Sequence, residues 1–305
     1  MNSSPTVLTH TNLPLPSFRR GKVRDVYGLG DKLLIVSTDR ISAFDIILPC
    51  GIPDKGKVLS QLSAFWFAET ANIIPNHLVK VIDSNVILNE VRGLSTQMED
   101  LPDSLIGRSM LVAKAERISV ECVVRGYLAG SAWAEYKETG KVGDINLPNG
   151  LKESQELPQP IFTPTTKSDT EHDRALTNQD IEDLGVKDIF EDLKQKSLLI
   201  YGYARDYARS KGIIIADTKF EFGFVNGKLA LIDELLTPDS SRFWDVDQYE
   251  VGRSQPSFDK QIVRDWLSAS GWDKTPPAPM LPLEVIERTS KRYLEVYSRL
   301  TGRSL

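Results

Sequence analysis

The stretch GIIIADTKFEFGFVNGKLALIDE, residues 212–234, decides how the rest of the chain reads. Before it, Ile189–Lys211 has the apolar spacing of a long helix, and Gly212 is a residue suited to end one. After it, Ile213–Ala216 is an apolar run, as expected of a strand covered on both faces. From Asp217 the pattern alternates. Alternate side chains of a strand share a face, so Asp217, Lys219 and Glu221 point one way and Phe220 and Phe222 the other. Asn226-Gly227 then marks a hairpin. Three charges on one face of a strand that begins apolar favour a cleft over an exposed edge. There, carboxylates suit Mg²⁺ and a lysine suits phosphate.

The returning strand ends at Asp233-Glu234, and two registers are open. A two-residue turn sets Glu221 opposite Ile232 and leaves Asp233 on the phenylalanine face. A three-residue loop, Val225-Asn226-Gly227, sets Lys219 opposite Asp233. Only the second, or an equivalent bulge, lets Glu221 and Asp233 share one metal, so a three-residue or bulged connection is the expectation.

Outward from this hairpin, Arg117–Arg125 alternates with Ile118, Val120, Cys122 and Val124 on one face. Glu121 and Arg125 share the other, and either a cross-strand ion pair or a phosphate site with a nearby metal is open there. Gly126–Ser131 leads into a helix expected over Ser131–Glu138, with Ser131 as its cap, a ready anion site. Lys22–Tyr27 and Lys32–Thr38, around Gly28, Gly30 and Asp31, read as an earlier hairpin. It opens with Arg19-Arg20-Gly21-Lys22-Val23-Arg24-Asp25. A glycine there lets amides approach a phosphate, although the plain reading is a solvated basic turn, and no Walker A loop is present. Val58–Ala71 reads as a helix packing Leu59, Leu62, Phe65 and Trp66. The stretches 38–45 and 162–169 read as polar loops, and Gly150–Asp173 as a long Pro- and Thr-rich loop. Residues up to about Ser17 read as a loose arm. Two helices, near Asp259–Ala269 and Leu283–Leu300, close the chain. Hairpins with segregated helices indicate an α+β fold.

The composition sets bounds. With 305 residues, 41% hydrophobic and 26% charged, the chain can build one large domain or two lobes around a cleft. A formal charge of −5 argues against sequence-independent nucleic-acid binding. Cys50 and Cys122 offer neither a disulfide framework nor zinc spacing, which fits a reducing, cytoplasmic setting. His10, His77 and His172 form no ligand pattern. No secretory signal and no apolar run of membrane-spanning length is seen. The expectation for assembly is a monomer.

The segments RGKVRDVY (20–27), STDRISAFD (37–45), VECVVRGYLAGSAW (120–133), GLKESQELPQPIFTPTTKSDTEHD (150–173), GIIIADTKFEFG (212–223) and DELLTPDSSRFWD (233–245), in this order, resemble the phosphoribosylaminoimidazole-succinocarboxamide synthase (SAICAR synthetase) family. The long 150–173 segment is similar to the family's fungal-like branch. The resemblance implies an arm (1–17), a β-rich N-terminal lobe (18–114) and a larger ATP-grasp-like lobe (115–305), with ATP between the lobes. It implies ligation of L-aspartate to 4-carboxy-5-aminoimidazole ribotide with ATP and Mg²⁺. By that resemblance Gly21, Lys22, Val23 and Arg24 cover the ATP phosphates, and Val112 to Lys114 form the edge that meets adenine. Glu221, Asp233 and Glu121 hold the metal, with Lys219 and Asp217 as catalytic groups. Arg125, Ser131 and Arg242 bind the ribotide phosphate, and Asp39, Arg40, Ser42 and Lys167 the aspartate. A small-molecule or protein kinase is the rival reading, but the His-Arg-Asp catalytic loop is missing: Asp39-Arg40 follows Thr38. A non-catalytic ATP-binding regulator is a third.

Overall fold

The structure, a computed structural model, describes residues 7–93, 101–167 and 174–305. In the first part run β1 (Ser17–Arg20), β2 (Arg24–Leu29), β3 (Lys32–Ser37), β4 (Arg40–Ala43), β5 (Ile46–Gly51), α1 (Lys55–Glu69), β6 (Leu78–Ile82), α2 (Asn85–Arg92) and β7 (Ser109–Ala113). Five of these strands form an antiparallel sheet in the order β1-β2-β3-β7-β6. Its inner strands β3 and β7 are apolar on both faces because both are covered. Ile35 and Met110 face a core shared with α1, whereas Leu34 and Val36 face a second cluster with Ile82 and Leu88. The turn of the first hairpin, Gly30-Asp31, has Gly30 at φ 64, a conformation glycine adopts without strain.

The second part contains β8 (Glu116–Tyr127), α3 (Ser131–Thr139), β9 (Lys141–Val142), β10 (Ile145–Asn146), β11 (Glu156–Phe162), β12 (Thr165–Thr166), α4 (Asn178–Asp183), α5 (Phe190–Ser210), β13 (Ile213–Val225), β14 (Lys228–Ile232), β15 (Ser241–Asp245), α6 (Gln261–Ala269) and α7 (Leu283–Thr301). Its six-stranded sheet runs β11-β8-β13-β14, with β12 also on β8 and β15 also on β13. Helix α5 buries Leu193, Ser197, Ile200, Ala204 and Ala208 at three- and four-residue spacing, and the apolar ones lie in the same core as β8 and β13. It ends where Gly212 takes φ 74. The mixed α+β class is therefore present, and one apolar core runs from the first sheet through α1 to the second sheet, α5 and α7.

Three local expectations are corrected. Residues 7–16 are not a loose arm: Leu13 and Leu15 are buried against the first sheet, and Thr11 Oγ1 donates to Asp25 Oδ2 at 2.7 Å. The described part of 150–173 is not a plain loop, because Glu156–Phe162 pairs with β8 at the sheet edge. Its register breaks between Glu156 and Ile161, across Pro158 and Pro160; an edge strand tolerates prolines that lack a donor. Residues 168–173 lie outside the described residues. Nor is 38–45 a plain polar loop: Arg40–Ala43 pairs with Ile46–Gly51, and this β4–β5 hairpin packs on α6 and α7 through Ile41, Leu48, Val263 and Val285.

Candidate active site

The charged face of β13 depends on a change of parity within the strand. Ile213 and Ile215 lie in the main core with Phe220 and Phe222, while Ile214 and Ala216 pack with Tyr127 and Trp244 on the other side. Odd positions face the core first, and even positions later. The register with β15 shifts between Ile215 and Asp217, where β13 has one extra residue. Such a bulge re-aims the side chains that follow. It sends Asp217, Lys219 and Glu221 to the face opposite the phenylalanines, as expected. Tyr201 Oη donates to the Ile215 carbonyl at 2.7 Å beside the bulge. Gly126 makes room for it, since an added Cβ would sit 1.9 Å from that hydroxyl.

Opposite, β8 sets Arg125 across from Asp217 and Glu121 across from Glu221. Lys219 Nζ lies 2.9 Å from Glu121 Oε1 and 2.6 Å from Glu221 Oε1. Lys167 Nζ joins the same two carboxylates, at 3.2 Å from Glu121. Asp217 Oδ2 accepts from both Arg125, at 3.2 Å, and Arg242. Asp217 thus sets two guanidinium forks side by side, which favours an anchoring role over that of a proton acceptor.

The hairpin expectation was wrong. Glu221 pairs with Ile232 and Val225 with Lys228, leaving a regular two-residue Asn226-Gly227 turn with φ 50 and 73. Asp233 nevertheless reaches the charged cluster. It lies one residue past the end of β14 at φ 71, so strand alternation no longer governs it. Its Oδ2 accepts from Arg24 Nη2 at 2.7 Å, and Glu234 lies 3.6 Å from the same nitrogen. Burial pushes the Asp233 carboxyl up, but Arg24, Lys219 and Lys167 hold it well below the usual carboxylate range. Burial likewise opposes the Lys219 charge, yet Glu221, Glu121 and Asp233 keep its pKa well above that of an ordinary lysine. The group is a compact network of alternating charge where the two sheets meet.

Among the described residues, no three His, Cys, Asp or Glu side chains gather closely enough to hold a metal by themselves. The donors near Lys219 are nonetheless carboxylate oxygens, the kind Mg²⁺ takes in ones and twos when phosphates complete its shell.

The side that carries the two guanidiniums is built around Gly130. It is the N-cap of α3, at φ 58, so Ser131 is the first helical residue and not the cap. A Cβ at Gly130 would lie 2.2 Å from Arg242 Nη2; glycine is what lets that guanidinium lie against the helix start. Arg125 is held from its other side by Thr163, at 3.0 Å. A cavity of about 90 Å³ opens beside Asp217 and Arg242, and a second of about 140 Å³ beside Gly130 and Arg242.

Other expected residues are placed differently. The turn Gly21-Lys22-Val23 joins β1 to β2, closed by Gly21 N donating to Arg24 O at 2.8 Å. Lys22 pairs with Asp45 at the surface. Val112 is no edge: β7 is an interior strand paired on both sides, and Val112 is fully buried. Just beyond, Lys114 N donates to Asp31 O at 3.0 Å. Asp39 and Arg40 are engaged within the protein. Asp39 accepts from Leu8 N, Gly56 N and Arg108. Arg40 clamps Asp25 and the carbonyls of Thr9, Gly21 and Lys22. Both side chains are buried, and Arg40 holds the Gly21–Val23 turn through the carbonyls of Gly21 and Lys22. Ser42 is buried in β4.

The sequence reading missed Asp239, Asp259, Lys260 and Arg264, which line the smaller cavity. Asp239 accepts from Tyr293 Oη and from the fully buried Lys55, each at 2.8 Å. Burial raises the Asp259 pKa and lowers that of Lys260. Asp239 lies inside the quoted 233–245 segment, so polar residues flanking Arg242 were its available signal; Lys55 had none.

The chain matches the family model described as SAICAR synthetase over residues 17–279. A phosphoribosylaminoimidazole-succinocarboxamide synthase of Geotalea uraniireducens is 52% identical over 301 residues, covering 98% of this chain and 99% of that one. Among solved structures, SAICAR-synthase from Saccharomyces cerevisiae complexed with SAICAR has a TM-score of 0.85 at 43% identity, covering 98% of this chain and 99% of that one. A SAICAR synthetase in complex with ADP has a TM-score of 0.67 at 27% identity, covering 94% of this chain and 98% of that one. The bacterial relative matches essentially end to end, so the long form is not a fungal mark. The chain belongs to the SAICAR synthetase family, and its enzyme class is that of the family's ligases.

Proposed function

We propose that the chain joins L-aspartate to 4-carboxy-5-aminoimidazole ribotide at the expense of ATP, giving the succinocarboxamide ribotide, ADP and phosphate through an acyl phosphate. One observation carries the reading: Glu121, Lys219 and Glu221 lie on the same sheet as the paired guanidiniums of Arg125 and Arg242, and Asp233, just past β14, adds Arg24 from the first sheet. The first suits a polyphosphate and the second a phosphate monoester. Relatives solved with SAICAR and with ADP support both ligand classes.

ATP lies between a first lobe, built on the first sheet, and a larger ATP-grasp-like lobe. Gly21, Lys22 and Val23 cover its phosphates, and the chain at Lys114, just past the end of β7, passes the base. A free carboxylate resists amines because oxide would have to leave. The ribotide carboxylate oxygen therefore attacks the γ-phosphorus, the bond to the β-phosphate oxygen breaks, and ADP leaves. The aspartate amine then attacks the acyl carbon and expels phosphate, which carries the amine proton away. Arg24 and Lys219 offset phosphoryl charge, and Arg125, Arg242 and the start of α3 at Ser131 hold the ribotide still. Glu221 and Asp233, with Glu121, would hold Mg²⁺, which when bound supplies charge to offset the transferring phosphoryl group. Lys167, at the centre of the network, is the aspartate-side candidate that the geometry favours.

The test labels both ribotide carboxylate oxygens with heavy oxygen and follows single turnovers. One label should appear in phosphate and the other in the amide, with ADP release requiring aspartate. Label lost to water would remove the acyl phosphate, and ADP release without aspartate would favour a kinase.

A further inference from the structure

Tyr201 lies on α5 and is fully buried in the main core. Its hydroxyl reaches the sheet, where Oη donates to the Ile215 carbonyl of β13 at 2.7 Å. On the β8 side it fills the room left by Gly126, where a Cβ would lie 1.9 Å from Oη and 2.8 Å from the Cζ that carries it. The hydroxyl therefore stands between the two strands. The register of β13 with β8 runs from Phe224, opposite Glu116, to Asp217, opposite Arg125, which is the neighbour of Gly126. Just beyond that last pair the tyrosine takes the Ile215 carbonyl. On its other edge β13 slips by one residue against β15 over the same step, from Ile215–Phe243 to Asp217–Arg242. Burial, with Tyr127 and Asp217 close by, pushes the Tyr201 phenol well above its ordinary range, so it stays an O–H donor.

A bulge disrupts the ladder around it, and a buried carbonyl left there costs free energy unless something donates to it. Tyr201 supplies that donor from a helix, outside the ladder. Without the extra residue, the alternation that puts Ile213 and Ile215 in the core would carry Asp217 to the core face as well. The bulge instead leaves Asp217 Oδ2 to accept from both Arg125 and Arg242. We propose that Tyr201 is a positioning residue whose O–H, by holding the Ile215 carbonyl, fixes the bulge at Ala216 and so keeps Asp217 between the two guanidiniums. Both forks then lose their common anchor when that donor is removed. The inference rests on the reading of Arg125 and Arg242 as the grip on the ribotide phosphate.

The test compares full-length Tyr201→Phe with the same chain carrying p-aminophenylalanine at position 201. Phenylalanine keeps the ring and removes the donor, whereas the amine puts an N–H where the O–H was. In calorimetry the Phe variant should bind the ribotide about 10-fold more weakly, the worth of a charged hydrogen bond lost from alignment, with ATP binding unchanged. The amine should restore most of the ribotide affinity. Ile200→Val, which thins the same core one residue away, should lower stability in urea and leave ribotide binding as in the wild type. Ligand-free crystal structures should show Asp217 displaced from the guanidiniums in the Phe variant and in place in the amine protein. An unmoved Asp217 in the Phe variant, or one displaced alike in both, overturns the proposal. If the Phe variant does not fold, Gly126→Ala decides, because its Cβ drives the same hydroxyl off the Ile215 carbonyl from the β8 side; an unmoved Asp217 there overturns the proposal equally. Asp217 displaced with ribotide binding unchanged would uphold the positioning and refute the assignment of the two guanidiniums to the ribotide.

Discussion

Replacing Lys55 with methionine should cost about 3–5 kcal/mol of stability at neutral pH, the typical penalty for leaving one partner of a buried ion pair alone. The Lys55 side chain is fully buried at the start of α1, 2.8 Å from Asp239 Oδ2. Methionine keeps most of the shape and removes the charge. Asp239 would retain the hydrogen bond from Tyr293 and the attraction of Lys260, which favours the lower end of the range. Burial pushes the Asp239 carboxyl up, but Lys260 and Lys55 together hold it well below its ordinary value. In the wild type this carboxylate therefore adds stability above the unfolded pKa of about 3.9, and that stability is lost as pH falls through the lower folded pKa. In the variant the attraction and hydrogen bond of Lys55 are gone, so the folded pKa moves up from its wild-type position. The folded variant then binds the proton more tightly than the folded wild type, so the deficit shrinks as pH falls through the raised pKa. Urea unfolding from pH 7 into the acid range reads both effects, and adding Asp239→Asn should recover part of the loss. A loss below about 1 kcal/mol at pH 7, or a loss that stays equal across that range, would refute the reasoning.

Three further outcomes are expected. Glu221→Gln and Asp233→Asn should each lower aspartate-dependent ADP release by about 100-fold or more, with unchanged circular dichroism; near-normal turnover at limiting Mg²⁺ would remove them from the phosphate site. Arg125→Lys should weaken ribotide binding by about 1–3 kcal/mol in calorimetry, because an ammonium cannot bond Asp217, Thr163 and a phosphate in one plane. An equal loss of ATP affinity would move Arg125 to the nucleotide side. Gly126→Ala should destabilise by about 1–3 kcal/mol in urea, since the new Cβ meets Tyr201 Oη at 1.9 Å; a neutral effect would show that the bulge does not depend on that hydroxyl.

What was legible in the sequence followed from periodicity. The spacing of α5, the stop at Gly212 and the opposed charged and phenylalanine faces of β13 each repeat often enough to be read locally. The bulge at Ala216 left no mark, because a parity change inside an apolar run alters no visible alternation. Asp233 was misjudged because a strand rule was applied one residue beyond the strand's end. Asp39 and Arg40 show a different limit: a polar side chain awaiting a ligand and one saturated by its own protein look alike in sequence. The remaining contacts are long-range. Lys55 meets Asp239 across 184 residues and Arg24 meets Asp233 across 209. No window of sequence contains such a pair, and each joins an element of the first part of the chain to the 233–240 segment, where the chain leaves β14 and returns as β15. That segment runs where β13 changes partner, and Lys219 N donates to Ser240 O at 2.9 Å there. A sheet that splits its edge in this way lets the chain bring Asp233 and Asp239 to the two ends of one loop. One end meets Arg24 and the other meets Lys55, so the placement of both carboxylates follows from how the two sheets dock.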